Sequence, residues 1–69
     1  MSLKKDLHEI LAEARRQGWR VELTRSGHYK LYAPDEARIV VTGSTPSSPR
    51  ALVKLVARMR SLGFKWKGR

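Results

Sequence analysis

Ser26-Gly27-His28-Tyr29-Lys30-Leu31-Tyr32-Ala33-Pro34 is the stretch that decides the fold. It begins with Ser26-Gly27, a pair that favours a tight turn, and its side chains then alternate as those of a β-strand do. Successive strand residues point to opposite faces of a sheet, so Leu31 and its apolar neighbours lie on a face that can pack on helices. The opposite face can display an imidazole, an ammonium and a phenol together, from His28, Lys30 and Tyr32.

The segments on either side of this strand predict two more strands and two helices. Residues 19–25 alternate apolar and polar side chains, and residues 37–42 are rich in β-branched side chains, so both are predicted strands. Apolar residues recur at helical spacing near each end of the chain, and a glycine follows each run. The predicted elements are a helix at 3–17, strands at 19–25, 28–33 and 37–42, a helix at 49–61, and an aromatic and basic tail at 64–69.

This order predicts an α+β fold. The arrangement α-β-β-β-α gives a two-layer sandwich, with a three-stranded antiparallel sheet and both helices on one face. The apolar stripes that face the sheet are Leu3, Leu7, Ile10, Leu11 and Ala14 in the first helix, and Leu52, Leu55, Val56 and Met59 in the second. Ser2 and Ser48 are the predicted N-terminal caps, and Gly18 and Gly63 end the helices.

Length and composition point to one small domain. The chain has 69 residues, close to the lower limit for a domain that folds on a single core. It has no cysteine, which excludes disulfides and thiolate metal sites. It has no apolar run long enough for a transmembrane helix or a secretory signal, so we expect a cytoplasmic protein without membrane contact.

Positive charge is concentrated in the second half of the chain. The net charge is +9, all six acidic residues lie within the first 36 positions, and residues 37–69 contain eight basic residues. Such a half-chain attracts polyanions by long-range electrostatics. Nucleic acid is the expected partner. A partner protein with an acidic surface, and cationic residues that only maintain solubility, are the alternatives that charge alone leaves open.

With the element order and the turn histidine in view, the chain resembles the HicA toxins. The resemblance runs from Leu7 to about Phe64. A helix followed by glycine and an aromatic residue is matched at Gly18-Trp19, and a glycine–histidine turn leading into a strand that ends in proline is matched at 27–34. A valine-rich strand, a loop and a final helix that ends in glycine follow. The form Ser26-Gly27-His28, with alanine at position 33 where the family has histidine, looks more like a phage-type branch.

The resemblance implies a double-stranded-RNA-binding-domain-like fold and a ribonuclease that cleaves mRNA. The catalytic residue of the family is the turn histidine, which corresponds to His28 here. HicA toxins are usually encoded with a HicB antitoxin, so a HicB-like partner is expected as well. No cofactor is implied.

The residues themselves are compatible with this chemistry. Histidine can take the proton of an RNA 2′-hydroxyl without a metal, because its unperturbed pKa lies near neutrality. The alternative is that His28 only starts the strand and binds phosphate or packs at the turn. The acidic residues are too scattered for a metal site, and no small-molecule ligand is expected. The residues expected to bind RNA are Arg25, Lys30, Tyr32, Arg38, Arg50, Lys54 and Arg58, with Lys30 and either Arg25 or Arg38 holding the phosphate.

Two other functions remain open for the same residues. The chain could be a nucleic-acid-binding module without catalysis, of phage or bacterial origin. It could also be a basic interaction protein that binds an acidic, antitoxin-like partner.

Overall fold

The computed structural model describes residues 2–35 and 37–66, and its elements occur in the predicted order, helix–strand–strand–strand–helix. Glu36, in the predicted connection between the second and third strands, and residues 67–69 of the predicted tail lie outside the described residues. The elements are α1 (Leu3–Arg16), β1 (Arg20–Leu23), β2 (His28–Tyr32), β3 (Ile39–Gly43) and α2 (Pro49–Arg60).

The three strands form one antiparallel sheet in the order β1-β2-β3, with β2 in the centre. Leu31 of β2 lies between Val21 of β1 and Val40 of β3, and this row faces the helices. The neighbouring row, centred on Lys30, faces the other way, as strand alternation requires. The sheet therefore has one covered face and one open face, and β1 and β3 are its edges.

A single apolar core lies between the covered face and the two helices. The buried side chains of α1 and α2 are those that the helical periodicity predicts, except that Leu3 is only partly buried. Both helices therefore lie on one face, as predicted. The core consists of Leu7, Ile10, Leu11, Ala14, Trp19, Leu31, Ala33, Val40, Leu52, Leu55, Val56, Met59 and Phe64.

The first helix begins and ends as its sequence predicts. The Ser2 hydroxyl accepts a hydrogen bond from the Lys5 amide at 3.3 Å. Gly18 has a φ of 97°, in the left-handed region that favours glycine, and this turn lets the Trp19 amide donate to the Ala14 carbonyl at 2.9 Å. Trp19 was predicted to open the first strand. Its amide is used by the helix end, and the strand accordingly begins one residue later, at Arg20.

The second helix is capped differently from the prediction. The Ser48 side chain makes no capping hydrogen bond, although its carbonyl accepts from the Ala51 amide at 3.1 Å. Pro49 occupies the first turn, where a missing N–H costs nothing because that amide would have no helical partner. The helix ends at Arg60, and Gly63 follows with a φ of 100°.

Both ends of β3 differ from the predicted strand at 37–42. The Ala37 amide donates to the Asp35 carboxylate at 3.0 Å, which extends the turn and delays β3 to Ile39. At the other end, β3 continues to Gly43, which pairs with His28. The predicted loop therefore begins one residue later than expected.

The C-terminal segment closes the core beside the end of α1. The Phe64 ring is buried and contacts Trp19 edge-on, with centroids 5.9 Å apart. The Gln17 amide donates to the Lys65 carbonyl at 2.6 Å and accepts from the Lys65 amide at 2.9 Å. These two hydrogen bonds hold the backbone at Lys65 against the end of α1.

Candidate nucleic-acid interface and active site

A three-residue hairpin loop positions the candidate catalytic residue. The Thr24 amide donates to the His28 carbonyl at 2.7 Å, and the Gly27 amide donates to the Thr24 carbonyl at 3.1 Å. Gly27 has a φ of 83°, which an L-residue with a side chain rarely adopts. The loop therefore requires glycine immediately before His28, and it sets that residue at the start of β2.

The His28 imidazole is exposed on the open face and is held by a chain of hydroxyl groups. Its Nδ1 lies 3.1 Å from the Ser26 Oγ, which in turn lies 3.0 Å from the Thr24 Oγ1. The Thr24 Oγ1 also accepts a hydrogen bond from the His28 amide at 3.2 Å. Within residues 2–35 and 37–66, no hydrogen bond involves Nε2, so the protein orients the exposed ring through one nitrogen and leaves the other without a hydrogen bond in this part of the chain.

Two of the cations predicted to hold a phosphate lie in the same hairpin as His28. Arg25 is an exposed loop residue, and Lys30 lies two positions along β2 on the open face. Lys30 is directly opposite Glu22 of β1 and Val41 of β3. The hairpin therefore contains an imidazole and two cations within six residues, from Arg25 to Lys30.

Arg38, the alternative phosphate ligand, lies at the opposite end. Its carbonyl accepts a hydrogen bond from the Ala33 amide, just beyond the end of β2. His28 pairs with Gly43, and the four steps from Ile39 to Gly43 cover about 13 Å at a rise of about 3.3 Å per residue. Arg25, rather than Arg38, is the second cation near His28.

Tyr32 belongs to a cluster that strand alternation alone does not reveal. The Arg20 guanidinium lies 3.9 Å from the centre of the Tyr32 ring, and the Tyr32 hydroxyl donates to Glu22 at 3.2 Å. Arg20 also forms an ion pair with Glu22. One face of the ring is therefore covered by a guanidinium that is itself neutralised, and only the other face remains for stacking on a base. Alternation in β1 puts Arg20 and Glu22 on one face, but only the register with β2 shows that they meet Tyr32.

The basic stripe on α2 has a different environment. Arg50, Lys54 and Arg58 are all exposed and follow one another at intervals of four, so they share the helix surface that faces away from the core. The ion pairs found among the described residues, Arg16–Glu13 and Arg20–Glu22, include none of them. The stripe is thus a row of positive charges without a neutralising carboxylate in the described part of the chain.

The remaining predicted cation joins this stripe. Arg38 and Arg58 line the same concavity, of about 350 Å³, between β3 and the end of α2. The predicted RNA-binding residues therefore divide into two groups. Arg25, Lys30 and Tyr32 surround His28 or share its face of the sheet, and Arg38 extends the positive surface formed by Arg50, Lys54 and Arg58.

Comparisons with protein-family models, with curated proteins and with solved structures gave no match to this chain. In residues 2–35 and 37–66, no three histidine or carboxylate side chains come together in a way that could hold a metal ion. No helix in that part of the chain combines the length and the apolar surface that crossing a membrane requires.

Proposed function

We propose that the protein is a HicA-like RNA-binding protein that cleaves mRNA without a metal, with His28 as the catalytic base. The observation that carries this proposal is the exposed imidazole whose Nδ1 contacts the Ser26 hydroxyl while Nε2 makes no hydrogen bond among the described residues. A general base must be oriented and also accessible, and this arrangement meets both conditions.

The proposed reaction uses His28 as the base and two nearby cations to stabilise charge. The Nε2 atom of His28 takes the proton of a 2′-hydroxyl, whose oxygen attacks the adjacent phosphorus. The bond from phosphorus to the 5′-oxygen breaks, which leaves a 2′,3′-cyclic phosphate and a 5′-hydroxyl. The departing oxygen receives a proton from the imidazolium or from water. Lys30 and Arg25 stabilise the negative charge that builds up on the phosphoryl oxygens.

The two groups of cations have separate roles in this proposal. The α2 stripe attracts and holds the RNA backbone, because its charges are exposed and carry no carboxylate partner among the described residues. The hairpin supplies the residues that contact the reacting phosphate. Cleavage would take place in the cytoplasm, and a HicB-like antitoxin is the protein partner that the assignment implies. Co-purification with the product of an adjacent gene tests that partner.

The decisive experiment incubates labelled RNA with the protein in the presence of EDTA. His28→Ala should slow cleavage by about 100-fold or more, the usual contribution of a general base. His8→Ala is a matched control, because His8 is the other histidine of the chain and is exposed on α1. Equal cleavage by the parent and His28→Ala would exclude the catalytic role, and inhibition by EDTA would exclude the metal-free reaction.

A binding module without catalysis is the second candidate. The observation that favours it is that the described hydrogen-bond partner of the His28 side chain is the Ser26 hydroxyl, with no carboxylate or second imidazole to assist proton transfer. This candidate predicts RNA binding that weakens with salt and yields no fragments. It also predicts that His28→Ala changes affinity only modestly.

A further inference from the structure

The outer strand β3 is an edge strand without the usual protection. It lies at one side of the three-stranded sheet, and its residues Ile39–Gly43 include no charge and no proline. Ile39 and Val41 are 52% and 47% exposed. Edge strands of stable proteins are commonly protected by charged side chains, proline or a bulge, because their free backbone groups pair readily with another chain. This edge is therefore open to an additional strand.

The backbone groups that face outward can be assigned from the hydrogen bonds at the two ends of the ladder. The Ala33 amide donates to the Arg38 carbonyl at 3.2 Å, and the Ser44 amide donates to the Gly27 carbonyl at 3.1 Å. In an antiparallel pair, hydrogen-bonded positions occur at every second residue. Val40 and Thr42 therefore bond to β2, and the outward amide and carbonyl groups belong to Ile39, Val41 and Gly43.

Positive charge lies directly beside these outward groups. The concavity of about 350 Å³ along β3 is lined by Arg38 and Arg58, together with Ser61 and Leu62 of the chain that follows α2. Neither arginine belongs to the ion pairs found among the described residues. A strand added to β3 would therefore run beside a concavity that is lined by two arginines and by apolar side chains.

We propose that the β3 edge binds an extended acidic segment of a partner protein, which adds a fourth strand to the sheet. A peptide backbone alternates donors and acceptors at the spacing that Ile39 and Val41 offer, and carboxylate side chains complement Arg38 and Arg58. RNA can neutralise the arginines, but it has no such alternation for the strand. A second copy of this chain is disfavoured, because the residues that would pair, Ile39–Gly43, carry no carboxylate for the arginines. The surface shares Arg38 and Arg58 with the proposed RNA-binding surface but includes no residue of the hairpin loop before His28, so partner binding does not require RNA cleavage.

The test measures amide hydrogen exchange by NMR on the full-length ¹⁵N-labelled protein. The probe is a blocked nonapeptide that alternates glutamate with valine. Exchange at Ile39 and Val41 should slow by about tenfold or more when the peptide is bound, because both amides become hydrogen-bonded. The matched control peptide carries N-methyl groups on its central residues, which keeps its charges and removes its strand donors, and it should protect neither amide.

A double variant separates the charge contribution from strand pairing. Arg38→Gln with Arg58→Gln should weaken peptide binding by about tenfold while the melting temperature stays unchanged. Equal binding of the N-methylated peptide, or unchanged exchange at Ile39 and Val41 with millimolar probe, would overturn the proposal. Protection of the same amides by an RNA decamer would reassign the edge to nucleic acid, and protection without any probe would reassign it to self-association.

Discussion

The two faces of the sheet differ in what their side chains contact. On the covered face, Leu31 is fully buried and touches the common core. On the open face, its neighbours Lys30 and Tyr32 meet charged, aromatic and exposed apolar side chains. Alternate residues of one short strand thus serve the core and the candidate site. Substitutions on the two faces should therefore separate stability from RNA chemistry.

The open face and the α2 stripe also differ, although both are basic. Arg20 on the sheet is paired with Glu22 and stacked on Tyr32, whereas Arg50 and Lys54 on α2 belong to no ion pair among the described residues. A cation that already has a carboxylate partner gains less from a phosphate, because that pairing must be given up. The net charge of the chain therefore does not show which surface would attract a polyanion, whereas local pairing distinguishes the two basic surfaces.

The largest expected effect tests the two faces of the sheet. Leu31→Ala should lower the free energy of unfolding by about 3 kcal/mol, since it opens a cavity in a fully packed core. The total free energy of unfolding expected for a domain of this size is only about 4–10 kcal/mol. Val41→Thr on the open face should change it by about 0.5 kcal/mol or less. Urea titration measures both, and similar losses would show that the open face also packs against something.

The next effect separates paired from unpaired cations in RNA binding. Lys54→Gln should reduce the slope of log affinity against log salt by about 0.7, the value for one phosphate contact on a single strand. Arg20→Gln should leave the slope unchanged, because Arg20 is engaged with Glu22. Fluorescence anisotropy across a salt series measures both slopes. A larger change in slope for Arg20→Gln than for Lys54→Gln would indicate that the main phosphate contacts are on the open face of the sheet instead.

A smaller effect concerns stability at the open face. Arg20→Met removes the ion pair and the contact with the Tyr32 ring, and should cost about 0.5–1 kcal/mol. Lys54→Met on α2 should cost less, because no ion pair is broken there. Thermal melts of the two variants give the comparison. Equal melting temperatures for the two variants would show that the contacts of Arg20 with Glu22 and Tyr32 add no measurable stability.

The smallest effect is a pH dependence at the end of α1. Hydrogen bonds from Arg16 and then Gln17 lower the pKa of Glu13 from 4.5 to about 2. A carboxyl whose pKa is lowered by folding stabilises the folded state at pH values above its pKa in the unfolded chain. That stabilisation disappears as pH falls from about 4.5 towards 2. Melting temperatures recorded across this range should decline less for Glu13→Gln than for the parent. Parallel curves would rule out this linkage.

Much of the architecture could be predicted because its determinants are local. The 3.6-residue spacing of Leu7, Ile10 and Leu11 specifies which side of α1 is buried, and the spacing in α2 does the same. Gly27 indicates the hairpin because only glycine readily takes its backbone angle. The hairpin, in turn, fixes which face of β2 carries His28. The catalytic role of His28 remains a prediction, since it rests on a resemblance that no comparison tests.

What the amino-acid sequence determined by itself is the element order, the buried stripes and the concentration of positive charge in the second half. These follow from periodicity and composition within single segments. Only the tertiary structure decided that Arg20 covers Tyr32, that Arg38 joins Arg58 rather than His28, and that Gln17 holds Lys65. The reason is that strand register and helix docking bring together residues distant in the chain, and no local pattern encodes which distant groups will meet.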